Sequence, residues 1–191
     1  IGWCPFNETW NYRGREQKNE LLSAIYDYTK AVDHTRPCID TSGNFHVKTD
    51  IYDVHDYNYD PALFKKNFDR LVDENYLYEH VLIDNPNRQK YSGEPVFVSE
   101  YGGIKWSGDD TIKSWGYGEN VKTPQEFADR YCGLTDALIS NKKMFGFCYT
   151  QLYDIEQEQN GLYTYERKKK FSDDIYKQII EANKKLAEIE K

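Results

Sequence analysis

One stretch constrains this chain more than any other: Val96-Phe97-Val98 runs without a break into Ser99-Glu100-Tyr101-Gly102-Gly103. Three apolar residues behind Glu94-Pro95 predict a short strand covered on both faces, as in parallel sheets. Pro95 suits the first strand position, where a missing N–H is tolerated. A carboxylate at the carboxyl end of a buried strand is costly unless it is hydrogen-bonded or used. In parallel α/β folds that end is where ligands bind. Glu100 is therefore a site residue or, alternatively, a solvated loop carboxylate that opens a turn.

The first ten residues repeat the pattern. Ile1-Gly2-Trp3-Cys4-Pro5-Phe6 reads as an apolar strand, and Asn7-Glu8-Thr9-Trp10 follows it. Two Glu residues at the ends of two strands fit a pair of carboxylates facing one substrate. Retaining glycoside hydrolysis requires such a pair, one acting as general acid and the other as nucleophile. The interval between Glu8 and Glu100 leaves room for two intervening strand units.

Pro5-Phe6-Asn7-Glu8-Thr9-Trp10 and Ser99-Glu100-Tyr101-Gly102-Gly103 resemble the acid/base and nucleophile motifs of glycoside hydrolase family 2, the β-galactosidase, β-glucuronidase and β-mannosidase family. Tyr149-Thr150-Gln151-Leu152-Tyr153-Asp154, together with Asn160-Gly161-Leu162-Tyr163-Thr164-Tyr165, is similar to the family's last barrel strand and the loop after it. The resemblance implies a partial (β/α)8 TIM barrel, approximately strands four to eight. Residues 1–191 would then be the C-terminal portion of the catalytic domain, because a whole barrel takes about 250 residues. It implies Glu8 as acid/base, with a raised pKa, and Glu100 as the ionised nucleophile. Asn7 would bind the sugar 2-hydroxyl. His55 and Tyr57 would bind sugar at the end of the third strand, with a structural histidine as the alternative for His55. Tyr101 would hold the nucleophile's carboxylate or else serve packing. Tyr149 stands where the family usually has a Trp under the sugar. Trp10, Trp106 and Trp115 are candidates for outer subsites. A terminal β-galactoside is the expected substrate. Glucuronidases of the family carry an Asn-x-Lys motif where this chain has Glu158-Gln159-Asn160, so a sugar carboxylate would meet Glu158 instead of a cation. The alternative is an inactive carbohydrate-binding or oligomerising half-barrel.

Charge and composition exclude several classes. A net charge of −7 argues against nucleic acid and anionic membrane as partners. Seventeen Tyr and four Trp suit stacking on sugar rings, although tyrosine also fills wet cores. Of the four cysteines, Cys4, Cys38 and Cys148 lie in apolar runs and read as small buried hydrophobes rather than disulfides. The four histidines are scattered with no metal-ligand spacing. Gly102-Gly103 lacks the lysine of a phosphate loop. No metal site or cofactor is expected. No apolar run reaches membrane length, and the expected location is the cytoplasm. A half-barrel would expose strand edges, so a homo-oligomer through those edges is expected.

Five strands are predicted, at about 1–6, 37–40, 51–55, 95–99 and 145–150. A helix over about 16–33 is predicted from Leu21, Leu22, Ile25, Tyr28 and Val32 at near 3.6-residue spacing. Asp60-Pro61 starts another over about 61–71. Thr123-Pro124-Gln125-Glu126 is a capping box opening a third, to about Ser140. A last helix runs from Ser172 to Lys191, with a stripe of Ile175, Ile179, Ala182 and Leu186. A short element is expected near Tyr76–Ile83. The long loop from Tyr101 to Lys122, rich in Trp and Gly, reads as functional.

Overall fold

The computed structural model describes residues 1–10, 16–79, 84–107 and 113–191. The chain is mixed α/β. In order it forms β1 (Phe6–Asn7), α1 (Asn19–Val32), β2 (Thr41–Ser42), β3 (Tyr52–Asp56), α2 (Pro61–Asp73), β4 (Val96–Gly102), α3 (Pro124–Ile139), β5 (Met144–Thr150), α4 (Asp173–Asn183) and a closing 3-10 turn (Glu188–Glu190). The five strands make two small sheets, β1-β2 and β3-β4-β5, and every strand pairing is parallel. Where a ladder between β2 and β3 would run, buried polar side chains stand instead. Ser42 donates to Asp53 Oδ2 at 2.6 Å, and the ring of His46 lies 2.9 Å from the Asp53 carbonyl.

β4 is the centre of the core. Val96 and Val98 are fully buried against Phe64 and Phe68 of α2, Phe127 and Leu134 of α3, and Ile175 and Ile179 of α4. The two middle helices start as their sequences dictate. Asp60 accepts hydrogen bonds from the Ala62 and Leu63 amides with Pro61 first in the helix. Thr123 caps the Glu126 amide, while Glu126 reaches back to Lys122, one residue before the cap.

Several sequence expectations fail where packing partners are missing. On α1 the buried residues are Leu22 and Tyr26, whereas Leu21, Tyr28 and Val32 are exposed. α4 stops at Asn183, and Leu186 lies beyond it, exposed. There Lys185 turns to pair with Asp136 of α3 at 2.6 Å. All four cysteines are free, but only Cys38 is buried. Cys4 and Cys148 are exposed, and among the described residues no further strand covers them. Tyr76–Glu79 has no regular structure, and the rest of the element expected there lies outside the described residues. Among the described residues, no helix is long and apolar enough to cross a membrane.

Candidate active site

Glu8 and Glu100 do converge, and the residue between them is His55. Its Nδ1 lies 2.8 Å from Glu8 Oε1 and 3.3 Å from Glu100 Oε2. Each residue arrives from a different element for a local reason. Glu8 directly follows β1, with its amide bonded to the Ser42 carbonyl at 2.8 Å. Its φ is +46°, in the left-handed region that costs a non-glycine residue about 1–2 kcal/mol. Such strain at a single polar residue is characteristic of functional positions. His55 is on β3, and its side chain is 3% exposed.

Glu100 owes its direction to a β-bulge. Val54 pairs with Val98 and His55 pairs with Glu100, so Ser99 is an extra residue on β4. Strict alternation from the buried Val96 and Val98 would turn Glu100 into the core. The bulge resets the alternation. Ser99 bonds Asp53 and Glu100 faces His55, both on the side away from the helices. Tyr101 turns into the core instead.

That settles two expectations. Tyr101 does not hold the nucleophile's carboxylate. It is fully buried, hydrogen-bonds Thr135 at 2.8 Å, and packs edge-on to Phe147 and Tyr149. The tyrosine that donates to Glu100 is Tyr57. Burial first, and then the Glu100 carboxylate, push the Tyr57 hydroxyl far above its ordinary pKa, so it stays a donor. Its ring stacks on Tyr117, with centroids 3.6 Å apart and planes 6° from parallel. Gly103 makes room for this pair. Its φ is +57°, and a Cβ there would meet Tyr117 at 2.4 Å and Tyr57 at 3.0 Å.

The Glu8 carboxyl was expected to have a raised pKa. It is lowered, chiefly by the hydrogen bond from His55, with burial opposing and a second hydrogen bond from Trp10 assisting. Glu158 moves the other way, raised by burial and then by the charges of Glu100 and Glu8. A third carboxylate therefore lies within the field of the pair.

A cleft of about 610 Å3 opens beside Glu8 and His55, lined also by Trp10, Asp56, Tyr57 and Tyr117 among others, with Glu100 behind Tyr57 outside its lining. Its wall is aromatic and acidic, which suits a polyhydroxylated ring with apolar faces. Trp10 is in this wall, as expected. Asn7 pairs with Ser42, is exposed, and does not line the cleft. Trp115 is exposed, edge-on to Tyr117 at 5.8 Å, at the margin of the site. Trp106 packs on Phe171 and lines a different cleft, with Asp154 and Tyr165. Tyr149 is not a stacking floor, because its hydroxyl donates to the Asn160 carbonyl at 3.1 Å and its ring packs on Tyr131.

Behind His55 lies a buried polar chain that the motifs did not reveal. His55 Nε2 is 2.8 Å from Ser42 Oγ, and both Ser42 and Ser99 donate to Asp53 Oδ2. His46 sits between Asp53 and Asp40, with Nδ1 donating to Asp40 Oδ1 at 2.7 Å and Nε2 3.1 Å from Asp53 Oδ1. Burial works against charge on His46, yet the two aspartates outweigh it and push its pKa up to about 10. One signal was in the sequence: Asp53, His55 and Tyr57 follow the period of two that places side chains on one strand face. Glu8, His55 and Glu100 also bring their donor atoms within 4.8 Å of one another, so the same trio could ligate a divalent cation.

No protein-family model and no curated protein matches this chain. Solved structures do match in fold. A β-glucuronidase of Ruminococcus gnavus aligns with a TM-score of 0.59 and 14% identity, over 97% of this chain and 32% of that one. A β-glucuronidase of Bifidobacterium dentium gives 0.58 and 14%, over 87% and 27%. An agarase gives 0.57 and 12%, over 87% and 24%. The chain thus has a fold shared with glycoside hydrolases, and it spans about a quarter to a third of the length of these proteins.

Proposed function

We propose that this chain is the C-terminal part of the TIM-barrel catalytic domain of a retaining β-glycosidase of the family 2 kind. Glu8 is its acid/base and Glu100 its nucleophile. The observation that carries this reading is the convergence of both carboxylates on one imidazole nitrogen. One oxygen of each lies within 4.8 Å of the other. That closeness supports the retaining arrangement, where the carboxyl groups stand about 5–5.5 Å apart. Glu100 attacks the anomeric carbon, and Tyr57 steadies its carboxylate. Glu8 protonates the leaving oxygen, then activates the water that releases the sugar.

The substrate we propose is a neutral terminal β-glycoside, a β-galactoside first. Glu158 supports this, since its charge is felt by Glu100 and Glu8 and a sugar carboxylate would add a like charge to that field. The glucuronidase names of the structural neighbours belong to those proteins.

The test uses a 2-deoxy-2-fluoro-β-galactoside with a good leaving group, added to the chain and to the full-length protein that contains it. The expected result is a mass increase of one fluorosugar, mapped to Glu100. Labelling elsewhere, or faster labelling by the fluoroglucuronide analogue, would overturn the assignment of nucleophile or of substrate respectively. We also propose that the chain by itself associates through its strand edges. Ile1, Trp3 and Phe145 expose apolar surface there, and light scattering showing a 22.6 kDa monomer would refute that.

A further inference from the structure

In retaining hydrolysis the nucleophile and the leaving oxygen stand on opposite sides of the anomeric carbon, and the acid/base reaches that oxygen. The two carboxylates therefore mark the two ends of the substrate. We infer that the cleft beside Glu8 is a leaving-group subsite, in which Trp10, Tyr59 and Tyr78 hold a second, uncharged sugar ring, so that the substrate is a β-linked disaccharide or longer saccharide. The inference rests on the glycosidase reading above and deepens it by naming what the first sugar is attached to.

Placement carries the point first. The cleft has Glu8 in its wall and Glu100 outside it. Tyr57 lines the cleft with its ring and reaches Glu100 with its hydroxyl, so this side chain stands between the two ends. When the glycosidic bond breaks, the leaving oxygen keeps the electron pair and takes the proton of Glu8. Whatever that oxygen carries therefore lies on the cleft side, and the sugar bonded by Glu100 lies on the other. Trp10 fixes the near end of the cleft. Its side chain hydrogen-bonds the Glu8 carboxyl, which holds the indole beside the leaving oxygen.

The chemistry of the wall says what departs. At about 610 Å3 the cleft falls within the range of about 300–1,000 Å3 that ligand pockets occupy, far more than a methyl group fills. No lysine or arginine lines it among the described residues, so nothing in the wall pairs with a phosphate, sulfate or carboxylate. Aromatic faces meet the C–H faces of a pyranose, and Asp56 and Asn58 add polar edges that suit its rim of hydroxyls. A flat aryl group would use only the aromatic part of the wall.

The wall is also held in shape. Tyr59 is 37% exposed, yet three contacts pin it. Its hydroxyl donates to Glu119 Oε1 at 3.1 Å, and the Arg130 guanidinium lies 5.4 Å from its ring centre. Gly118, at φ +70°, is so close that a Cβ there would stand 2.4 Å from the Tyr59 Cβ. Tyr117 is tied by its amide to the Gly103 carbonyl at 2.8 Å, and Tyr78 rests edge-on against Phe68 of α2. A pinned aromatic loses little freedom when a ligand covers it. Tyr117, Gly118 and Glu119 all belong to the long loop between Tyr101 and Lys122, whose length and aromatic content pointed to a function.

Two measurements test this on the full-length protein that contains the chain. The first compares kcat/KM for three β-galactosides with alcohol leaving groups: methyl, benzyl and glucosyl. In wild type the glucosyl substrate is expected to be the fastest. Tyr59→Ala should lower the glucosyl-to-methyl ratio by about three- to tenfold, the scale of one lost aromatic contact. The leaving groups are the same in both proteins, so the change in ratio reports the cleft and not leaving-group basicity. An unchanged ratio, or a benzyl substrate faster than the glucosyl one, would overturn the inference. The second is the fluorine magnetic resonance signal of Trp10 in fluorotryptophan-labelled Glu100→Gln protein, identified by its loss in Trp10→Phe, which needs no turnover. Saturating β-galactosyl-glucose is expected to shift it, and methyl β-galactoside to shift it less. Equal shifts, or none with the disaccharide, would overturn the inference. If wild type hydrolyses none of the three substrates, the glycosidase reading fails, and the Trp10 signal still decides whether the cleft holds a sugar.

Discussion

The two carboxylates come from halves of the molecule that are built in opposite ways. Glu100 sits on β4, the middle strand of three, whose neighbours Val96 and Val98 are fully buried under three helices. Glu8 follows β1, two residues long and paired only with β2, in a segment where Ile1, Trp3 and Cys4 are exposed. Apolar burial fixes the first. The second is fixed by individual polar contacts: its amide on Ser42, its carboxylate on His55 and Trp10. Apolar packing holds a strand through many contacts at once, whereas a polar chain holds a residue through a few bonds whose loss frees it. Glu100 therefore stands on a robust support and Glu8 on a fragile one.

The largest effect that tests this contrast is catalytic. Glu100→Gln should lower kcat on any β-galactoside by on the order of 10⁴-fold or more, as removal of a nucleophile does. Glu8→Gln should lose about 10²–10⁴-fold on a phenyl glycoside. A Glu100→Gln protein with near wild-type turnover would end the assignment. Next comes stability. Phe64→Ala empties a fully buried site under β4 and should cost about 3–5 kcal/mol by urea unfolding. Trp3→Ala, in the β1 segment, removes an exposed indole bonded to Asp33 and should cost under about 1 kcal/mol. Similar losses would show that the two halves are equally packed.

A subtler effect separates the halves by pH. The folded pKa of His46 is raised to about 10, above its unfolded value, so the folded chain binds that proton more tightly. Its contribution to stability is complete below an unfolded pKa of about 6.5 and is lost as pH rises through about 10. Urea unfolding between pH 6 and pH 8.5 should show wild type losing stability with a slope that His46→Gln lacks. Parallel slopes in the two proteins would refute a charged His46. The smallest effect is on Tyr57→Phe, which keeps the ring stacked on Tyr117 and removes one hydrogen bond to Glu100. It should reduce kcat/KM by about tenfold and leave stability within about 1 kcal/mol.

How much of this was legible in the chain depends on whether the cause was local. The two strand-end carboxylates, the Asp60-Pro61 and Thr123-Pro124 helix starts and the strands at about 51–55, 95–99 and 145–150 followed from residues a few places apart, because capping and strand burial are decided there. The strands expected at 1–6 and 37–40 form only as Phe6–Asn7 and Thr41–Ser42, later than their apolar runs. Of the two roles open to Tyr101, packing is the one it takes, and Tyr57 is the tyrosine that donates to Glu100. Counting by two along β4 fails at the Ser99 bulge, and only pairing with β3 reveals an extra residue. The exposed Cys4, Cys148 and Leu186 share one reason: an apolar residue is buried only if something covers it, and composition does not say what does.

His55, His46, Ser42 and Asp53 mark the same boundary. The sequence by itself placed a strand ending at His55 and another leading into Glu100, since alternation and apolar runs are properties of the chain. Only the tertiary structure decided that Ser42 would bridge Asp53 to His55, and that His55 would stand between Glu8 and Glu100. A hydrogen bond needs two atoms within about 3 Å, and no spacing along the sequence specifies which distant donor meets which acceptor.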